Sequence, residues 1–341
     1  MRHLPAELSG RVFTIHLNDS DLITTLAQTG AEAVDVFHPD AVVLAHLRNT
    51  FADHPVVRVL DSVFPQEAGY SFGVLQIPVS PSFAMGTAAV CLQRLAPDGR
   101  LLIGGNPRLG GLSLLRKLAV FSAVEVFEET WDHIIYQIVE ISSADVPEEW
   151  HQFWQPQPRT YHVYDRLYQV YTQPGIFSWH KIDPGPQYFL DHIREVSLPQ
   201  GGTIMDAGCG YGLLGMVMRD LCQPRRTVWV DKNLMAVRCT QLGVPEGIVL
   251  AEDLVSGDFS SYEPFDVIFC VPPYYDAYTE STDFMAAFAP RTRQLLTSGG
   301  LLIIVANTVL KFHDLIKQHY DDVLNIKDGG FFEMVVAHRD D

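Results

Sequence analysis

The chain has 341 residues, with 24 Lys and Arg against 41 Asp and Glu, for a formal net charge of −17. Its 47% hydrophobic and 19% charged residues suit a protein with sizeable buried cores, and its length allows about two domains. This balance excludes a wholly basic nucleic-acid-coating protein and argues against disorder, and no apolar run approaches the ~18 residues of a membrane span. Five cysteines (Cys91, Cys209, Cys222, Cys239 and Cys270) form no CxxC pair and no cluster with histidine. They are expected to be reduced cytoplasmic thiols, with no metal site, and the start of the chain lacks the pattern of a secretory signal.

The first 145 residues alternate strand-like and helix-like segments. RVFTIHL (11–17), AVDVFH (33–38), VVRVL (56–60), FGVLQIPV (72–79) and LLIGG (101–105) are short, apolar and rich in β-branched residues. Helical stretches at 22–30 and 83–95 lie between them, which predicts a mostly parallel sheet covered by helices. From about 145 to 190 the texture changes. EEWHQFWQPQPRTYHVYDRLYQVYTQPG mixes Pro, Gln and aromatics without a clean period and reads as a connecting and capping segment. Its aromatics, Trp150, Trp154, Tyr161, Tyr164, Tyr168 and Tyr171, suit an inter-domain packing seam better than a base-stacking platform. The alternation then resumes at 203–208, 227–232, 247–253, 265–271, 301–307, 322–327 and 331–338.

The two halves repeat each other. LAPDGRLLIGGN (95–106) and LTSGGLLIIVAN (296–307) superpose with an offset of about 201, which places Gly99 on Gly300 and Asn106 on Asn307. Each is followed by a helix and two strands, one of them expected to be antiparallel.

IMDAGCGYGLLG (204–215) is the strongest local signal. A strand runs into Asp206, then Gly208, Gly210 and Gly212, then an apolar helix. Such glycines let backbone turn tightly and approach a ligand with no Cβ in the way. Asp206 precedes them, where a carboxylate would repel a pyrophosphate but pair with an ammonium. Asp231 ends the next strand, a position from which a carboxylate accepts both ribose hydroxyls. Glu252 and Asp253 follow the third strand, within reach of an adenine amino group. Together these acids outline a pocket for an adenosyl sulfonium bearing an amino acid. The fourth strand of this half ends FDVIFCVPPYYDAY (265–278), where the side chain of Val271 has no lone pair to receive a hydrogen bond from an amine.

These motifs resemble the bacterial ribosomal RNA guanine-N2 methyltransferases of the small-subunit type and their large-subunit relatives. GIFSWHKIDPGPQYFL (175–190), DAGCGYGLLG (206–215) and the closing VANTVLKFHDLIKQHYDDVLNIKDGGFFEMVVAHR (305–339) carry the resemblance, which spans nearly the whole chain. It implies two tandem Rossmann-like class I methyltransferase domains in an α/β fold. A degenerate copy without the cofactor loop would occupy 1–145, a linker and cap 146–190, and the catalytic domain 191–341. The implied cofactor is S-adenosylmethionine, held by Phe177, Ser178, Asp183, Asp206, Gly208, Gly210, Asp231, Asp253 and Val271. The implied acceptor site lies at Pro272, Pro273 and Tyr274, with Asp276 as the nearest carboxylate and Tyr275, Tyr278 and His180 close in sequence. The family's Asn-Pro-Pro-aromatic motif has Val271 in place of its Asn.

The acceptor is therefore expected to be either an RNA guanine or a small metabolite. Residues 1–155 carry 9 basic and 18 acidic residues and the remainder 15 and 23, so neither half supplies an evident polyphosphate face. Arg108/Arg116/Lys117, Arg225/Arg226 and Arg291/Arg293 are small basic groups. Two further readings stay open: attack by the cofactor's amino nitrogen on its own chain, releasing methylthioadenosine, and a binding module without turnover.

Overall fold

The computed structural model describes residues 4–140, 146–262, 264–272, 281–327 and 330–340, with only the backbone described at 281–285. The chain divides into two compact units, Met1–Gln157 with Gln173–Gly175 and Pro158–Thr172 with Ile176–Asp341.

The first unit is built on β1 (Arg11–Ile15), β2 (Ala33–Phe37), β3 (Val57–Val59), β4 (Tyr70–Gln76), β5 (Leu95–Gly105), β6 (Ala123–Glu129) and β7 (Ile134–Glu140). They form one sheet in the order β3-β2-β1-β4-β5-β7-β6, parallel except for β7, which runs antiparallel to both neighbours. Its principal helices are α1 (Ser20–Gln28), α2 (Ala41–Thr50), α3 (Pro81–Arg94) and α4 (Leu112–Leu118). Asp19 and Asp40 cap α1 and α2, each accepting two main-chain N–H groups, and Pro81 opens α3 where a missing N–H costs nothing.

In chain order the two sheets are separated by the short α5 (Glu148–His151), in the first unit, and a hairpin of β8 (Gln157–Val163) and β9 (Arg166–Thr172). The segment that showed no clean period is thus partly a two-stranded element. Tyr168, Val170 and Thr172 are the alternate residues of β9 that point inward, a signal masked by Pro, Gln and exposed charge around them. Trp150, Tyr164 and Tyr168 each have partners inside their own unit. Trp150 meets Phe121 edge-on, while Tyr168 donates to Asp220 (2.8 Å) and Arg194 lies over Tyr164.

The second unit adds α6 (Pro184–His192), β10 (Thr203–Ala207), α7 (Leu213–Cys222), β11 (Arg226–Val230), α8 (Leu234–Gly243), β12 (Ile248–Leu250), β13 (Phe265–Cys270), α9 (Ser281–Leu295), β14 (Leu296–Asn307), α10 (Phe312–Ile316), β15 (Asp322–Ile326) and β16 (Phe332–His338). Its sheet order, β12-β11-β10-β13-β14-β16-β15, is that of the first sheet strand for strand. Central β10 is buried throughout, as a parallel strand covered on both faces must be. One face packs Met205, Phe265, Ile268, Leu302 and Val335 against Phe288 of α9 and Phe312 and Ile316 of α10.

The repeat extends to register. Tyr70 pairs with Leu95 and Phe72 with Arg100 across a shift in β4–β5, and Phe265 pairs with Leu296 and Val267 with Leu301 across the same shift in β13–β14. Gly99 and Gly300 occupy the same turn, and in each a Cβ would press on a carbonyl oxygen at 2.8 Å. Asn106 and Asn307 both accept main-chain N–H groups at the ends of their strands. All five cysteines are buried and free. Among the described residues no helix is long and apolar enough to cross a membrane.

Candidate active site

The carboxyl edge of the second sheet carries the glycine loop and Asp231 of the predicted set. The main chain leaves β10 through Gly208, Gly210 and Gly212, all with positive φ (+76°, +57° and +80°). At Gly208 and Gly210 an added Cβ would meet nothing within 4 Å, so these two border open space. Gly212 caps α7 against Thr240, whose hydroxyl donates to the Gly210 carbonyl (3.0 Å). The loop is pinned from two sides, with Gly208 and Cys209 N–H groups donating to the Val230 carbonyl (2.8 and 3.0 Å).

Asp206 lies beneath this loop, 2% exposed, its Oδ2 accepting the Gly215 N–H at 2.8 Å. Burial pushes its carboxyl up to about 8, the bond from Gly215 opposes this, and the charge of Asp231 adds to it. Gly215 has no room for a side chain, because a Cβ there would lie 2.0 Å from Trp229 Nε1 and 2.7 Å from Asp206 Oδ2. Asp231, just after β11, accepts the Gly210 N–H at Oδ2 (2.9 Å) and the Asn233 N–H at Oδ1 (2.8 Å). It therefore ties the glycine loop to the start of α8. Asp253 is half-buried, and its Oδ1 accepts from the Val255 and Ser256 N–H groups and the Ser256 hydroxyl. Neighbouring Glu252 is exposed.

Phe177, Ser178 and Asp183 precede α6. Phe177 is 49% exposed, whereas the Ser178 Oγ is buried with no hydrogen-bond partner, on a residue held at φ +49°. Asp183 sits at the N-cap of α6 but makes no capping bond from its side chain. Across the loop, Tyr161 stacks on Tyr211 with ring centroids 5.9 Å apart, and the Tyr211 hydroxyl donates to the Lys181 carbonyl (3.3 Å). Burial, the neighbouring Tyr161 and the charge of Asp183 raise the Tyr211 hydroxyl above its ordinary range. Sequence reasoning leaves Arg159 without a role, reads Tyr161 as a seam aromatic, and includes Gly215 only as part of the glycine motif. The i, i+2 spacing of the first two on β8 was the signal available for them.

Val271 and Pro272 follow β13 and are partly buried. A Cβ on Gly185 would lie 3.0 Å from Val271 Cγ1 and 3.4 Å from Phe332 Cε1, so the valine meets an apolar contact at the first turn of α6. Pro273, Tyr274, Tyr275, Asp276 and Tyr278 lie outside the described residues. Exposed Phe331 and Val309 stand at the same edge. Arg225 and Arg226 line a cleft with Thr203, Asp266 and Thr297 at the opposite, amino edge of the sheet.

Residues 167–335 match the family "Methyltransferase small domain". The open glycine cradle, the buried acid without a cation beside it, and the second acid at the next strand end fit S-adenosylmethionine. The chain is an S-adenosylmethionine-dependent methyltransferase, and its second unit carries the cofactor-type loop.

Its likeness to known proteins runs through both halves. It is 24% identical over 341 residues to Ribosomal RNA small subunit methyltransferase C of Hahella chejuensis, covering 98% of this chain and 95% of that protein. It is 28% identical over 276 residues to the protein of that name from Pseudomonas paraeruginosa, covering 79% and 80%. The solved T. thermophilus 16S rRNA N2 methyltransferase RsmC, in complex with AdoMet and guanosine, has the same fold at a TM-score of 0.82, with 18% identity over 98% of this chain and 90% of that one.

Proposed function

We propose that the protein methylates a guanine of ribosomal RNA in the cytoplasm, using the carboxyl edge of the second sheet alone. The observation that carries this reading is likeness along the whole chain, including a complete first sheet that one small substrate would not require. In the first unit His16, at φ +61°, holds the position of Gly208, and its ring packs 4.9 Å from Phe83. That unit serves as a recognition or stabilising domain.

In the second unit, Asp231 receives the ribose hydroxyls and Asp253 marks the adenine side. Asp206 and Asp183 face the ammonium, and Gly208 and Gly210 admit the ligand close to the main chain. S-adenosylmethionine supplies a methyl group already activated by positive sulfur. The protein's task is to hold the acceptor nitrogen in line behind that carbon. With Val271 in place of a side-chain acceptor, the main-chain carbonyl of Cys270 or Val271 takes the hydrogen bond from the guanine amine. Pro272 and Pro273 stiffen the loop, and Tyr274 stacks on the base. Asp276, the carboxylate nearest in sequence to this loop, takes the released proton.

The apolar surroundings of Val271 and the charge of −17 favour a second reading, a small metabolite as acceptor. Incubating the enzyme with unmodified small-subunit ribosomal RNA and methyl-labelled cofactor decides between them. The account expects label on a guanine after nucleoside digestion. Label entering only small molecules would select the metabolite. Methylthioadenosine in place of S-adenosylhomocysteine would select cyclisation, and binding without any product would select a non-catalytic module.

A further inference from the structure

We propose that Arg159, on β8, binds the carboxylate at the amino-acid end of the cofactor. The inference rests on the assignment of S-adenosylmethionine to the glycine loop. Arg159 is half-buried, its Nε is inaccessible and makes no hydrogen bond, and it has no acid partner among the described residues. A partly buried guanidinium with an unsatisfied Nε and no counter-ion is a place where an anion gains a charge-assisted hydrogen bond.

Its position is fixed by aromatic contacts. The guanidinium carbon lies 5.4 Å from the centroid of the Trp179 ring, which leaves the edge N–H groups free for a planar carboxylate. Trp179 itself is tethered through its carbonyl, which accepts the Thr172 hydroxyl at 2.7 Å. Two residues along the same face of β8, Tyr161 stacks on Tyr211 of the glycine loop. Arg159 therefore stands beside the loop, and its charge and that of Asp183 both act on the Tyr211 hydroxyl with opposite sign.

The neighbourhood has the polarity of an amino-acid zwitterion. Arg159 and the unpartnered Ser178 Oγ are donors for a carboxylate. Asp183, which does not cap its own helix, and buried Asp206 are acceptors for an ammonium. An α-amino acid carries those two groups on one carbon, so a single ligand satisfies both sets.

The test compares ligands that differ only in the carboxylate. S-adenosylhomocysteine and its decarboxylated amine are titrated calorimetrically into the full-length protein, Arg159→Ala and Arg159→Lys. Arg159→Ala should weaken S-adenosylhomocysteine by about 10- to 100-fold and the decarboxylated ligand by less than about twofold, with Lys restoring part of the loss. Equal losses for both ligands would make Arg159 a structural residue, and no loss for either would overturn the proposal. So would a variant impaired only in retaining RNA, which would assign the guanidinium to a phosphate. Failure of the unaltered protein to bind either ligand would instead overturn the cofactor assignment beneath it.

Discussion

The two sheets share strand order and register yet end in different carboxyl edges. Pairing sets Val12 with Ile204 through their partners Phe72 and Val267, so Thr14 stands where Asp206 does and His16 where Gly208 does. Pairing with the second strand likewise sets His38 against Asp231. The backbone keeps its pattern through these changes. His16 N–H donates to the Phe37 carbonyl (3.1 Å) as Gly208 N–H does to Val230, and Asp40 N–H donates to His38 Nδ1 (3.0 Å) as Asn233 N–H does to Asp231. Burial, helped by His38, lowers His16 to about 3, so its ring is neutral packing. A fold can therefore hold a left-handed loop and a strand-end cap with histidines. An open cradle with carboxylates on its rim is a separate requirement.

Substitutions that carry one edge into the other break or sharpen this contrast. Gly208→His places in the second edge the residue of the first. It is expected to weaken S-adenosylmethionine binding more than about 100-fold, while the left-handed conformation costs about 1–2 kcal/mol in denaturant unfolding. Retained binding would mean that the space above Gly208 is not the cradle. Asp231→His keeps an acceptor for the Asn233 N–H, as His38 does for Asp40, and should leave folding nearly intact. Cofactor affinity should fall by about 1–3 kcal/mol through lost ribose hydrogen bonds, read by calorimetry. Gly215→Ala tests packing beneath the loop. Its counterpart, the third residue after the α1 cap, is Leu22, which has Val36 below it instead of Trp229. Overpacking against Trp229 should cost about 1–3 kcal/mol of stability, and pairing it with Trp229→Val should recover part of that.

The smallest effect is a proton. Asp206 is raised from 3.8 to about 8 in the folded protein, so the folded state holds a proton that the unfolded chain releases. Its contribution to stability is full below about pH 4 and falls as pH rises toward 8. A bound ammonium favours the ionised carboxylate, so cofactor binding at pH 7 should release up to one proton. Calorimetry in buffers of different ionisation enthalpy reads this release, and Asp206→Asn should remove it.

The strands and the glycine loop were legible because short continuous apolar, β-branched runs and glycines at turn positions are local signals. The duplication was visible only at 95–106 and 296–307. The offset is 192 at Val12 and Ile204, 195 at Phe72 and Val267, and 201 at Leu95 and Leu296, because connecting loops differ in length. That drift hid the correspondence of His16 with Gly208. Arg159 went unnamed, and Tyr161 was read only as a seam aromatic, because the contact between the hairpin and a loop some 50 residues away has no local pattern.

The most direct test is the number of cofactor molecules bound per chain, measured by calorimetric titration of S-adenosylmethionine into the full-length protein and Gly208→His. The account requires one site in the unaltered chain and none in the variant. Two sites, or one that persists in Gly208→His, would place the ligand at the edge carrying His16 and contradict it.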